Sequence, residues 1–269
     1  MLCSAQRGLD VEEASGGRFG PDPMQALSEW EAFRDWAEGV SPEAGEALDP
    51  ERLGPCVPRP SKVFGVGLNY RAHAEEAKLE VPKEPLIFTK FPSCLVGPRA
   101  PVPLTSNRVD YEVELVVVIG RRSRRVSEAD ALSAVAGYCV GQDISDRRLQ
   151  FAGKPPQFSM AKSADGFGPI GPALVPLDAF ADPDDLELWC EVSGEERQRD
   201  RTRDMIFSVS ELIAYLAGLC TLEPGDLIFT GTPSGVGSMR KPRSYLAVGD
   251  VIHSGIEGIG ELRNTCVEG

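Results

Sequence analysis

The stretch Val109-Asp110-Tyr111-Glu112-Val113-Glu114-Leu115-Val116-Val117-Val118-Ile119-Gly120 constrains this chain more than any other. Its second half is apolar enough for the middle of a core, yet its entry carries acids at alternate positions. A period of two puts Asp110, Glu112 and Glu114 on one face, with the two glutamate side chains leaving the strand roughly 7 Å apart. Burying two carboxylates side by side is costly unless a cation offsets them. A divalent ion would do so directly; a strand whose acidic face is simply wet is the other reading. Oxygen ligands suit a hard ion, Mg²⁺ or Mn²⁺ and less readily Ca²⁺. Only His73 and His253 are available for a zinc site.

Asp143 closes the apolar run Tyr138 to Asp143 at the start of a polar turn. With Glu112 and Glu114 it would make three carboxylates and leave coordination positions open, as a catalytic ion requires. A turn-capping aspartate fits the same position. His73 and Glu76, three apart in a helix-compatible run after Gly65-Val66-Gly67, face the same way. A carboxylate that orients an imidazole makes a general base for water, although such pairs also decorate surfaces.

Three lookalikes fail. Gly65-Val66-Gly67-Leu68-Asn69-Tyr70 has Tyr where a dinucleotide loop needs its third glycine, and Ser159-Met160-Ala161-Lys162 lacks the companion motifs of an acyl-serine enzyme. Gly231-Thr232-Pro233-Ser234-Gly235-Val236-Gly237 lacks the P-loop lysine; its glycines would let backbone N–H groups approach an anionic ligand.

Composition narrows the partners. The 28 basic against 41 acidic residues leave a formal charge of −13, which repels nucleic acid and anionic lipid. Nothing approaches a membrane span, and seven dispersed cysteines without a C-x-x-C pair read as free thiols in a reducing cytoplasm. Two regions are expected: 1–58, short and acidic with one amphipathic helix through Met24, Leu27, Trp30, Phe33, Ala37 and Val40, and a strand-rich 59–269. Asp22 and Pro23 would start that helix. Strands are expected over 62–67, 85–90, 112–119, 138–143, 186–192, 226–230 and 250–254, with a capping box at Ser208 and Glu211 opening a helix. The spacing excludes a regular βα alternation, so the fold class is α+β, mainly β. Arg121, Arg122, Arg124 and Arg125 read as a solvated turn.

Taken in order, Gly67-Leu68-Asn69-Tyr70 with His73 and Glu76, Tyr111-Glu112-Val113-Glu114, Gln142-Asp143 with Ser145, Arg147 and Gln150, Lys162, Pro169-Ile170-Gly171-Pro172, Gly225 to Pro233 and Ile256 to Gly260 form a series that resembles the fumarylacetoacetate hydrolase family. The resemblance spans about Lys62 to Val267. It implies a mixed β-sandwich roll, paired as a homodimer, with Mg²⁺ or Mn²⁺ held by Glu112, Glu114 and Asp143. It also implies a water-activating dyad of His73 and Glu76 on a mobile lid helix, a catalytic Lys162, and Arg147, Gln150 and Thr232 lining the ligand site. Two departures stand out: Gln142 replaces the asparagine common before the metal aspartate, and the N-terminal region leaves little room for the small β-domain of many members. The implied chemistry is cleavage of a C–C bond in a small anionic 2-oxo acid through a metal-stabilised enolate, as in acylpyruvate hydrolysis. Oxaloacetate-type decarboxylation and 2-hydroxyhepta-2,4-diene-1,7-dioate isomerisation share that step, and a non-catalytic metal-binding member is a further alternative.

Overall fold

The computed structural model of the chain describes residues 1–4 and 6–269. Strand Val113–Ile119 is buried along its whole length and lies near the middle of a seven-stranded mixed sheet. Its order is Leu86–Thr89, Val63–Gly67, Leu227–Phe229, Val113–Ile119, Val135–Gln142, Gly168–Val175, Leu95–Val96. An unbroken Val and Ile run suits a strand covered on both faces. One cover is a five-stranded sheet ordered Glu195–Arg201, Glu187–Val192, Val251–Ile256, Gly260–Glu268, Val102–Leu104. Leu188, Cys190, Ile252 and Leu262 from that sheet enter the same core as Val113, Leu115 and Val140. Helix Val209–Leu219, opened by the expected capping box of Ser208 and Glu211, adds buried Leu212, Ile213 and Leu216 to the same core. The result is the expected mainly β, α+β roll.

The expected strands appear, within a residue or three at their ends. Gly168–Val175, Glu195–Arg201 and Gly260–Glu268 are additions that the sequence pattern did not announce. Arg124 is more than a solvated side chain: its Nη1 donates to the carbonyls of Ala217 and Gly218 at 2.7 and 2.9 Å, closing the C-terminus of helix Val209–Leu219.

The N-terminal region departs from expectation twice. Asp22 does cap a helix with Pro23 at its first position, but this helix ends at Ser28. A second helix, Trp30–Ala37, follows a break at Glu29, whose φ of −121° and ψ of 37° leave the helical region. The apolar stripe continues across the break, which is why periodicity alone reads one helix. The region also holds a small β-sheet after all, of Leu2–Cys3, Arg7–Leu9 and Glu46–Ala47. Strands of two or three residues are too short to show alternation. Phe19, Phe33 and Trp36 form a separate aromatic cluster here, with Phe19 and Phe33 edge to face at 5.3 Å, while Leu27 joins the main core. No helix among the described residues is long and apolar enough to cross a membrane.

Candidate active site

At the entry of the central strand the regular alternation breaks. Val109–Asp110 pairs with Ser145–Asp146, and the long strand resumes only at Val113. Of the three acids that period two places on one face, Glu112 and Glu114 belong to the carboxylate cluster and Asp110 does not. Asp110 accepts from Gly237 N at 2.7 Å, Ser238 N at 2.9 Å and Arg147 Nε at 2.8 Å, sharing that guanidinium with Glu112. Glu112 and Glu114 instead converge with Asp143, which leaves the end of the neighbouring strand Val135–Gln142. Carboxylate oxygens of these three residues lie within 4.8 Å of one another, and all three side chains are buried.

A donor set of three buried carboxylates fits a hard divalent ion. Its electrostatics support the assignment. Burial alone would raise the Glu112 carboxyl, but the Lys162 and Arg147 charges outweigh it and hold the group at about 2. Arg147 Nη2 reaches Glu112 Oε1 at 2.5 Å, and Lys162 Nζ reaches Glu112 Oε2 at 2.7 Å. Glu114 goes the other way. Burial first, then the charges of Asp143 and Glu112, push it well above the ordinary carboxylate range. Gly231 N–H, at 2.8 Å from Oε2, is its close donor. A carboxylate that resists ionisation beside two others asks for a further positive charge at that spot.

Lys162 bridges the cluster, donating to Glu112, to Asp143 Oδ2 at 2.6 Å and to Ser145 Oγ at 2.7 Å. Burial would lower its pKa, and the facing carboxylates of Asp143 and Glu112 raise it instead. Arg147 also donates to Gln150 Oε1 at 2.8 Å, so these two predicted residues act together. Thr232 is close by but occupied: its hydroxyl donates to Val113 O and accepts from Gln198 Nε2. Gln142, the residue at the departure noted above, links the two sheets. Its Oε1 accepts from Glu112 N at 2.9 Å while its Nε2 donates to Ser254 Oγ at 2.8 Å in the opposite sheet.

His73 and Glu76 lie on helix Arg71–Ala77, which follows strand Val63–Gly67. His73 is 9% exposed, and its Nδ1 is 3.3 Å from Glu76 Oε2. Glu76 accepts from Gly235 N–H through both oxygens, at 3.1 and 3.2 Å. The glycine-rich segment 231–237 therefore does gather backbone N–H groups around anions, but the anions are the protein's own Glu114, Glu76 and Asp110. Gly231 has φ +102°, and a Cβ there would lie 2.7 Å from Asn69 Cβ. Asn69 itself donates to Thr230 O and Phe207 O and accepts from Phe207 N, pinning the start of the His73 helix.

Two contributors escaped sequence reasoning. Lys90, wholly buried, donates to Asp143 Oδ1 at 2.7 Å, to Phe167 O at 3.1 Å and to Lys162 O. A lysine at a strand end reads as solvated, and nothing local contradicts that. Gln198 donates to Thr232 and accepts from Val113 N at 3.0 Å. Here a signal exists, since it is the one uncharged residue in Glu195-Glu196-Arg197-Gln198-Arg199-Asp200-Arg201.

Fold and site thus define a two-sheet roll enclosing a carboxylate triad beside a histidine–glutamate pair. Residues 62–267 match the fumarylacetoacetate hydrolase C-terminal family. Among solved structures, a Mycobacterium smegmatis protein assigned provisionally as HpcE superposes with a TM-score of 0.94 at 50% identity, over 99% of this chain and 95% of that one. The 2-hydroxyhepta-2,4-diene-1,7-dioate isomerase of Mycobacterium marinum gives 0.71 at 38% identity, over 84% and 82%. Maleylpyruvate hydrolase from Sphingobium sp. SYK-6, in complex with manganese(II) and pyruvate, gives 0.81 at 28% identity, over 100% and 95%. The chain belongs to the fumarylacetoacetate hydrolase family. It is an enzyme of that family's hydrolase or isomerase kind.

Proposed function

We propose that this enzyme hydrolyses the C3–C4 bond of an acylpyruvate, giving pyruvate and a carboxylic acid, with Mg²⁺ or Mn²⁺ held by Glu112, Glu114 and Asp143. The observation that carries the reading is the His73–Glu76 pair, because bond migration alone needs no activated water. Glu76, held by Gly235 N–H, aligns the imidazole and stabilises its positive form as it takes a proton from water. The water oxygen bonds to C4, the C3–C4 bond breaks, its electron pair moves toward the 2-oxo group, and C3 then accepts a proton. Held by Glu112, Glu114 and Asp143, a divalent ion would supply Lewis-acid character, the electron sink for the 2-oxo group. Lys162 and Arg147 keep Glu112 ionised and add local positive charge for an anionic substrate, against the negative field of the whole molecule. The manganese and pyruvate of the Sphingobium hydrolase agree with this substrate class. The family resemblance adds a homodimer as the working unit, which sedimentation velocity tests.

The test is pyruvate release from acetylpyruvate with added Mn²⁺ or Mg²⁺, repeated in excess EDTA. Release that EDTA abolishes supports the reading. His73→Ala should then lose hydrolysis while binding Mn²⁺ as wild type does; unchanged hydrolysis would remove His73 from the mechanism. Absent release with Mn²⁺ bound would turn the assignment to decarboxylation of oxaloacetate or to dienedioate isomerisation, the activity named for the M. marinum relative.

A further inference from the structure

Beside the carboxylate cluster stands an apolar wall to which the chemistry above gives no role. Leu86 and Phe88, two apart on strand Leu86–Thr89, share one face, and their partners across the ladder are Gly67 and Gly65. Neither glycine offers a side chain, so the apolar groups lie directly on the backbone. A Cβ at Gly65 would come within 2.3 Å of the Phe88 ring, and one at Gly67 within 2.7 Å of Leu86 Cδ2. Phe88 stacks on Phe158 with ring centroids 5.7 Å apart, and Lys162 Nζ lies 5.2 Å from the Phe88 centroid. Phe158 and Lys162 are four apart, at the two ends of one helical turn. The wall runs outward from the site: Phe88 is nearly closed off, Phe158 is half-buried and Leu86 is 38% exposed. Strand Val63–Gly67 beneath it leads into the helix of His73 and Glu76.

Charge argues in the same direction. The cations of the cluster already face protein acceptors: Lys162 with Glu112, Asp143 and Ser145, Lys90 with Asp143 and two carbonyls, Arg147 with Asp110, Glu112 and Gln150. A second substrate carboxylate laid along Phe88 and Phe158 would lose water against two rings, and the cluster cations nearest to it are already engaged by protein acceptors. An aliphatic or aromatic group there would be desolvated against two rings.

We propose that Leu86, Phe88 and Phe158 form the subsite for the group attached to C4, so that the enzyme selects acylpyruvates with an uncharged apolar or aromatic acyl group over those ending in a second carboxylate. This subsite rests on the hydrolytic reading above for its place in the reaction, and the experiment separates the two. Pyruvate release by the Mn²⁺-loaded full chain is measured on acetylpyruvate, benzoylpyruvate and fumarylpyruvate, for wild type and Phe158→Ala. In parallel, phenylpyruvate and 2-oxoglutarate, which lack the cleavable bond, are titrated calorimetrically. Expected are a kcat/KM for benzoylpyruvate at least about ten-fold above that for fumarylpyruvate, and a benzoyl-to-acetyl ratio that falls about ten-fold in Phe158→Ala. Phenylpyruvate should bind more tightly than 2-oxoglutarate, and Phe158→Ala should erase that difference. Those binding results without any turnover would retain the subsite and sink hydrolysis. A preference for fumarylpyruvate or 2-oxoglutarate, above all one lost in Lys154→Ala in the adjoining turn, would overturn the subsite, as would a substrate ratio indifferent to Phe158.

Discussion

On the outer strand Glu195–Arg201, Arg199 pairs with Glu187 and Glu196 at 2.5 and 2.7 Å, and Arg201 reaches Asp185 and Glu257, all of them open to water. Around Glu112 the same side-chain chemistry, at the same distances, is sealed from it. Water makes the first set nearly interchangeable, because each charge has a cheap alternative partner. The second set has none. There every carboxylate is tied to a named cation or backbone donor, and the one least supplied, Glu114, is the one whose ionisation burial and its neighbours oppose. The difference teaches that the same ion pairs cost little to lose where water can replace a partner, and that burial leaves Glu114, the least supplied of the three carboxylates, the one a further positive charge would stabilise most.

Substitutions can break this contrast or sharpen it. Arg147→Met strands Asp110 and Glu112 without their guanidinium and should cost about 3–5 kcal/mol in urea unfolding; a loss below about 1 kcal/mol would put the buried pair in the same class as the surface ones. Glu114→Gln should weaken Mn²⁺ binding by about 100-fold or more in a paramagnetic titration, since an anionic ligand becomes neutral. In EDTA the same variant should be no less stable than wild type at neutral pH. The sign follows from the raised pKa of Glu114: its contribution to stability is present below the ordinary carboxylate range and is lost as pH rises through the folded value. Glu112, held at about 2, contributes oppositely, with stability present above the ordinary range and lost as pH falls toward 2. Wild type in EDTA should therefore gain from Glu114→Gln on the alkaline side and show no gain near pH 4; a gain that does not grow with pH contradicts the raised pKa. At the small end, Arg199→Ala should shift stability by less than about 1 kcal/mol, and any larger loss in thermal unfolding would show that solvent does not level the outer strand.

Glu112, Glu114 and Asp143 were legible in the sequence because an acid inside an apolar run is expensive, and that expense shows wherever the run is written. The capping box of Ser208 and Glu211 was legible because both partners lie within one turn. What stayed hidden is held over long separations. Lys90 meets Asp143 across 53 positions and Gln198 meets Val113 across 85, and no local pattern encodes such a meeting. Asp110 was read with Glu112 and Glu114; it does share the Arg147 guanidinium with Glu112, but the pairing of Val109–Asp110 with Ser145–Asp146 interrupts the long strand before Val113, and the clustered carboxylates are Glu112, Glu114 and Asp143. The break at Glu29 stayed hidden because the apolar stripe runs on across it, and the small N-terminal sheet because its strands of two or three residues are too short to alternate.

Asn69 and Gly231 show how closely two distant positions can be bound. The glycine delivers its N–H to Glu114 from a left-handed backbone, and its missing side chain is the room that Asn69 occupies while tying down the start of the His73 helix. Their codons are inherited separately, but the residues are not free to drift separately. An alanine at 231 pushes on Asn69, and a bulkier residue at 69 closes on the turn at 231. Both the buried carboxylate Glu114 and the helix that carries His73 and Glu76 are thereby disturbed in a single mutational step. Lineages that change one position are expected to carry a matching change at the other, so the pair should evolve as one unit.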